Sequence, residues 1–214
     1  MSVVCKKLYK TEENKFTPDQ ILNTCFSIFS GILALSENIH DKPATIFDHI
    51  PKSDYHKQGD FDDNLQSQDL DSTSSDSSSE EEYSCNLDKY NIDSFVVLCY
   101  KALCFDENLM ILSMMIFDKI LAKKFVVTEK NIHKIFFLCM MEVQKFYNDV
   151  PFTNKDCAEL SGLSTKELLD LELEFMNYID YDMNITEENY IKYKKRMKNF
   201  FENKVMIEIK YLGE

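Results

Sequence analysis

FFLCMMEVQKFYND, residues 136–149, is apolar around nearly the whole circumference of the helix it would form. A helix without a polar face must be enclosed by neighbours, so this stretch predicts a central helix wrapped by other helices. It also carries Lys145 two-thirds of the way along. A lysine in such surroundings needs a partner or gives up its charge.

The rest of the chain fits that picture. With 214 residues and 44% apolar content there is material for one substantial core. Four glycines and four prolines, beside ten methionines and sixteen phenylalanines, predict long helices with few turns, an all-α fold. MSVVCKKLYK at residues 1–10 lacks the apolar core of a secretory signal, and no run of 18 apolar residues occurs. The expectation is a soluble protein of the cytoplasm and/or nucleus that does not engage a membrane. The seven cysteines are odd in number and lack CxxC spacing, and Cys25, Cys99 and Cys139 sit in apolar stretches. They read as reduced core residues, His133 reads as structural, and neither a metal nor a cofactor is expected.

Charge is uneven. Gln58–Asp88 contains ten acidic residues and no Lys or Arg, leaving −3 of the total −13 for the rest of the chain. Within it, GDFDDNLQSQDLDSTSSDSSSEEEYS (59–84) is too poor in apolar residues to offset its ordering entropy and is expected to be disordered. Thr73, Ser77, Ser78 and Ser79 each have an acid three residues later, the spacing an acid-directed kinase would phosphorylate; a solvated loop without regulation is the other reading. The organisation is then an N-terminal helix region at 1–51, an acidic insert at 52–88, a helical box at 89–184 and a C-terminal helix and tail at 185–214.

Helix boundaries follow from capping chemistry. Thr17, Pro18 and Gln20 form a start signal for a helix with Ile21, Leu22, Cys25, Phe29, Ile32 and Leu33 on one stripe. Residues 92–104 are largely apolar, Asp106 caps the next helix, and Thr128 caps the central one. Pro151 stops the chain, Gly162 closes a short helix, and Ser164 with Glu167 forms a capping box. Thr186 starts a last helix with Tyr190, Tyr193, Met197 and Phe200 or Phe201 inward and Lys192, Lys194, Lys195 and Arg196 outward. The tail VMIEIKYL (205–212) reads as a short strand or a docked extension.

In the helix over 165–180, Glu172 falls four residues after Leu168 and four before Met176, within the apolar stripe. Two opposite charges in apolar seams compensate one another where their helices cross, which pairs Lys145 with Glu172. The simpler alternative leaves both at the edge: Lys145 lies near a helix C-terminus, favoured by the macrodipole and able to reach water, and Glu172 borders its stripe.

Several segments, in order, resemble the cyclin box. IFDKIL (116–121) is similar to its YIDRFL-type segment. VTEKNIHKIFFLCMMEVQKFYND (127–149) resembles the central cyclin helix with its SKFEE- or AKFLDD-type ending, and KELLDLELEFMNYIDYDMNI (166–185) the fifth helix. Asn131, His133 and Lys134, the run NKDCAELSGLSTKELLDLE (154–172) and TIFDHIP (45–51) resemble the P-type cyclins most. The likeness covers roughly 19–51 and 86–200.

The resemblance implies a single cyclin box of five helices around the central one, plus an N-terminal and a C-terminal helix. It implies a regulatory subunit without chemistry of its own, monomeric until it binds a cyclin-dependent protein kinase. The family's motif lysine and glutamate carry over to Lys145 and Glu172, which would hydrogen-bond to the kinase main chain around its PSTAIRE-type helix, with Phe146 and Phe152 adding apolar area. Such a contact favours the kinase's αC-in state. Three departures stand out: Lys119 replaces the usual arginine, Gln144 replaces a small residue before the motif lysine, and no MRAIL-like docking patch is present. The rival readings are a cyclin-fold adaptor without kinase activation and a nucleic-acid binder. The acidic balance opposes the second, since KYKKRMK (192–198) reads as a solvated helix face or an import signal. No phosphate loop, nucleophile elbow or HExxH supports an enzyme.

Overall fold

The structure, a computed structural model, describes residues 16–37, 47 and 90–212, with side chains through residue 204. Among the described residues it is all-α, with seven helices and no strand. They are α1 (Pro18–Glu37), α2 (Ile92–Ala102), α3 (Glu107–Ala122), α4 (Ile132–Tyr147), α5 (Asn154–Ser161), α6 (Thr165–Tyr178) and α7 (Glu187–Leu212). No described helix is long and apolar enough to cross a membrane.

The caps explain most boundaries. Thr17 and Gln20 exchange reciprocal side-chain to main-chain bonds at the head of α1, as Ser164 and Glu167 do at α6. Asp106 accepts the Leu109 N–H at 2.8 Å to open α3. Gly162 ends α5 at φ 70°, the left-handed conformation open to glycine without steric penalty. At the head of α4 the structure differs from expectation. The helix starts at Ile132, and its N-cap residue, Asn131, makes no side-chain bond to the helix. The Asn131 side-chain amide oxygen (Oδ1) accepts the Thr128 N–H at 2.8 Å, and the Thr128 hydroxyl caps nothing. Thr128 thus begins a turn that leads into α4, its main-chain carbonyl accepting the Asn131 and Ile132 N–H groups at 3.2 and 3.0 Å.

α4 is the buried axis. All but four of its residues are buried, with α3 along one side and α2 and α6 along others. α1 belongs to the same core: Phe29 stands edge-to-face on Phe136 at 4.7 Å and on Phe117 at 5.7 Å, while Phe117 and Phe136 meet at 5.6 Å. His133 is structural, its Nε2 3.0 Å from the Tyr90 carbonyl and its ring edge-on to Phe95. None of the five described cysteines is in a disulfide, and all but Cys104 are buried.

α7 packs on α1 and α3 through Tyr190 and Met197, with Phe201 half-buried and Phe200 outside. Two expectations are corrected here. The tail is neither strand nor separate extension, since α7 continues to Leu212. Lys194 does not face solvent: it is 8% exposed, and its ammonium lies 2.6 Å from Glu107 at the head of α3. Its long apolar stem reaches back across the helix contact to a carboxylate favoured by the α3 N-terminus. The KYKKRMK stretch is therefore not a uniform basic face, and Lys192 is held by Glu188 one turn earlier.

Candidate functional site

Lys145 occupies the last turn of α4, where its charge opposes the negative end of the helix dipole. The chain leaves that helix sharply, with Asn148 extended at ψ 143°. Gln144 fixes the exit: its side-chain carbonyl accepts the Phe152 N–H at 3.0 Å. Thr153 and Asp156 then form a capping box that starts α5 at Asn154. This short helix lays Asn154 beside α6.

Glu172 is held between the two. Lys145 Nζ sits 2.7 Å from its Oε1, and Asn154 Nδ2 donates to its Oε2 at 2.9 Å. The two charged side chains retain 21% and 23% of their exposure, so the pair is mostly covered but still reaches solvent. The buried stripe of α6 is Leu168, Leu171, Phe175 and Ile179, with Glu172 and Met176 at its border. The pairing of Lys145 with Glu172 and the edge position are thus both present. A lysine ammonium has three donors and here spends one on Glu172, so N–H groups remain for a main-chain carbonyl, as do lone pairs on Glu172 for a main-chain N–H.

A third charge lies beneath them. Glu142, one turn before Lys145, is 6% exposed, with Oε1 3.5 Å from the Lys145 ammonium. That is ion-pair range at the outer limit of a hydrogen bond, and the oxygen is buried without a hydrogen-bond partner. Burial pushes the Glu142 carboxyl from 4.5 up to about 7; Lys145 opposes the shift and Glu172 adds to it. The buried Cys157 thiol of α5 is pushed up to about 11, again by burial, with Lys145 opposing.

Exposed apolar side chains neighbour the pair in sequence. Phe146 is 55% exposed and edge-on to Tyr147; on α6, Leu169 and Leu173 are open one turn apart. Phe152 is half-buried and packed against the core, which makes it a support of the α4–α5 connection. Thr73, Ser77, Ser78 and Ser79 lie outside the described residues. Sequence reasoning passed over Glu142 and Asn154. Glu142 was visible as a second charge in the same apolar stretch as Lys145, three residues ahead of it and therefore on the same helical face. Asn154 had no comparable signal, because its role depends on where α5 lands.

The cyclin family model matches residues 38–183, more than half of the chain. Cyclin-U4-1 of Arabidopsis thaliana is 32% identical over 63 residues, 29% of this chain and 31% of that protein. PHO85 cyclin-7 of Saccharomyces cerevisiae is 30% identical over 77 residues, 36% of this chain and 27% of the relative. Cyclin-P4-1 of Oryza sativa subsp. japonica is 25% identical over 85 residues, 39% and 40% of the two chains. The alignments span roughly a quarter to two-fifths of the relatives' length. On the family match and an all-helical box that encloses its central helix, the chain belongs to the cyclin family.

Proposed function

We propose that this protein is a cyclin regulatory subunit that binds a cyclin-dependent Ser/Thr protein kinase through the α4–α6 crossing and favours the kinase's active arrangement. The observation that carries the reading is the Lys145–Glu172 pair, mostly covered yet still partly exposed, with hydrogen-bonding capacity left over; the sequence resemblance sets these two residues at the family's motif positions. Phe146 and the exposed leucines of α6 supply apolar area beside it. One relative is named a PHO85 cyclin, which makes a kinase of that kind the first partner to test.

Kinase catalysis requires the β3 lysine paired with the αC glutamate, and an isolated kinase leaves that pair unmade. A surface that binds the αC-in state more tightly by about 3 kcal/mol shifts the ratio of the two states on the order of 100-fold. No catalytic group of this chain takes part in that step.

The test is co-purification with a panel of recombinant cyclin-dependent kinases and a phosphorylation assay. Wild type is compared with Lys145→Ala, Glu172→Ala, whose helicity is first checked by circular dichroism. Wild type is expected to bind and activate one member, and the folded double variant to lose both. If wild type binds none, the regulatory reading falls and an adaptor role replaces it.

A further inference from the structure

The crossing holds one more carboxylate than its pairing needs. Lys145 is shared between Glu172 at 2.7 Å and Glu142 at 3.5 Å, and Asn154 adds a neutral amide. With both acids ionised the cluster carries a net negative charge at a buried crossing, and one Glu142 oxygen has no donor. The ionisable groups around Glu142 are Lys145 and the Cys139 thiol on its own helix, Glu172 across on α6 and the Cys157 thiol on α5. Asp118 of α3 acts with Glu142 on Cys139. Both thiols are held neutral by burial, which leaves Lys145, among the described residues, as the only cation acting on Glu142 against the negative charge of Glu172. Two carboxylates so placed resist simultaneous ionisation, and the more buried one keeps the proton.

We propose that Glu142 is a positioning residue for Lys145, acting through a proton it exchanges with solvent. This rests on the reading of the crossing as a docking surface. With the proton on, Glu142 donates its O–H to Glu172, the cluster is neutral, and the ammonium stays on Glu172 with its remaining N–H groups outward. When the proton leaves to water, the bare Glu142 carboxylate draws the ammonium inward and the cluster becomes anionic. A partner that covers the crossing excludes water from that charge, so docking favours the protonated form. The raised Glu142 carboxyl places the exchange in the neutral range. Affinity for the partner therefore falls as pH rises through neutrality.

The first arm of the test needs no kinase. Side-chain carboxyl and lysine ε-carbon resonances of the full chain are followed by carbon-detected NMR between about pH 5 and about pH 9, in wild type and Glu142→Gln. One carboxyl is expected to titrate near neutrality, with the Lys145 ε-carbon moving at the same midpoint, and both transitions are expected to vanish in the glutamine variant. If every carboxyl titrates below about pH 5.5, or Lys145 does not respond, the proposal is overturned. The second arm measures affinity for whichever kinase wild type captures. Wild type is expected to weaken at least about threefold between pH 6 and pH 8. Glu142→Gln, which keeps the donor of the protonated acid, is expected to hold the low-pH affinity throughout, and Glu142→Ala to be weaker and flat. A wild-type profile that parallels that of Glu142→Gln overturns the role. Failure to bind any kinase, with the NMR transitions present, defeats the docking reading alone and leaves the proton-controlled position of Lys145 standing.

Discussion

The α4–α6 crossing and the junction between the end of α3 and the turn after α6 are both made of lysines and acids, yet they are built differently. At the α3 junction, Lys119 Nζ meets Asp182 Oδ2 at 2.8 Å, the Asp182 carbonyl at 2.9 Å and the Asn184 carbonyl at 3.1 Å, so all three donors are used. Lys123 holds Asp180 at 2.5 Å and the Tyr178 carbonyl at 2.6 Å, while the Tyr178 hydroxyl returns a bond to the Lys123 carbonyl. Each acid has its own lysine, and hydrogen bonding to Lys119 holds the Asp182 carboxyl below its ordinary value. At the crossing, one lysine serves two carboxylates and its donors are not exhausted. A saturated lysine closes a structure, whereas an unsaturated one leaves something for another molecule to complete.

The contrast breaks if the crossing proves to be the stronger structural element. The largest stability effect is expected at the one-to-one buried pair, whose Lys194 and Glu107 side chains are 10% and 14% exposed. Lys194→Ala is predicted to destabilise by about 3 kcal/mol in urea unfolding, because it strands a mostly buried carboxylate. The Lys145→Ala, Glu172→Ala double variant should lose clearly less, and an equal loss would remove the distinction.

Glu142→Gln sharpens the comparison. The folded carboxyl lies at about 7 against an ordinary 4.5, so the native state binds more protons between these values. The stability Glu142 contributes is full below about 4.5 and is lost as pH rises through about 7. The glutamine variant should match wild type near pH 4.5 and exceed it by about 2 kcal/mol near pH 8; equal stability at both would place the excess charge elsewhere. The smallest effect is expected for Lys119→Ala, about 1 kcal/mol and reduced by salt, since that side chain is 30% exposed. Thermal unfolding at low and high ionic strength decides it.

The wrapped central helix was legible because an apolar circumference has one physical solution, and the caps at Thr17, Asp106 and Ser164 because they are local chemistry. Lys145 and Glu172 were legible as charges out of place. What escaped depended on three-dimensional reach. Lys194 reads as solvent-facing by helical phase, but its stem crosses to α3. Thr128 has the right residue type for a cap and lies a turn too early. Glu142 was visible as a charge, but its role was not, since an i, i+3 pair of opposite charges reads as self-compensating until Glu172 is seen to hold the lysine more closely.

The Phe29–Phe117–Phe136 triangle bears on how the chain is made. α1 leaves the ribosome before its partners, since the aromatic faces it needs are 88 and 107 positions downstream. At about 5–20 residues per second, Phe29 waits roughly 5–20 s before Phe136 exists. During that interval an amphipathic helix carries its apolar stripe unsheltered in the nascent chain. Burial of α1 therefore waits on the synthesis of α3 and α4, and the window in which a chaperone is most useful opens while α1 is exposed without them.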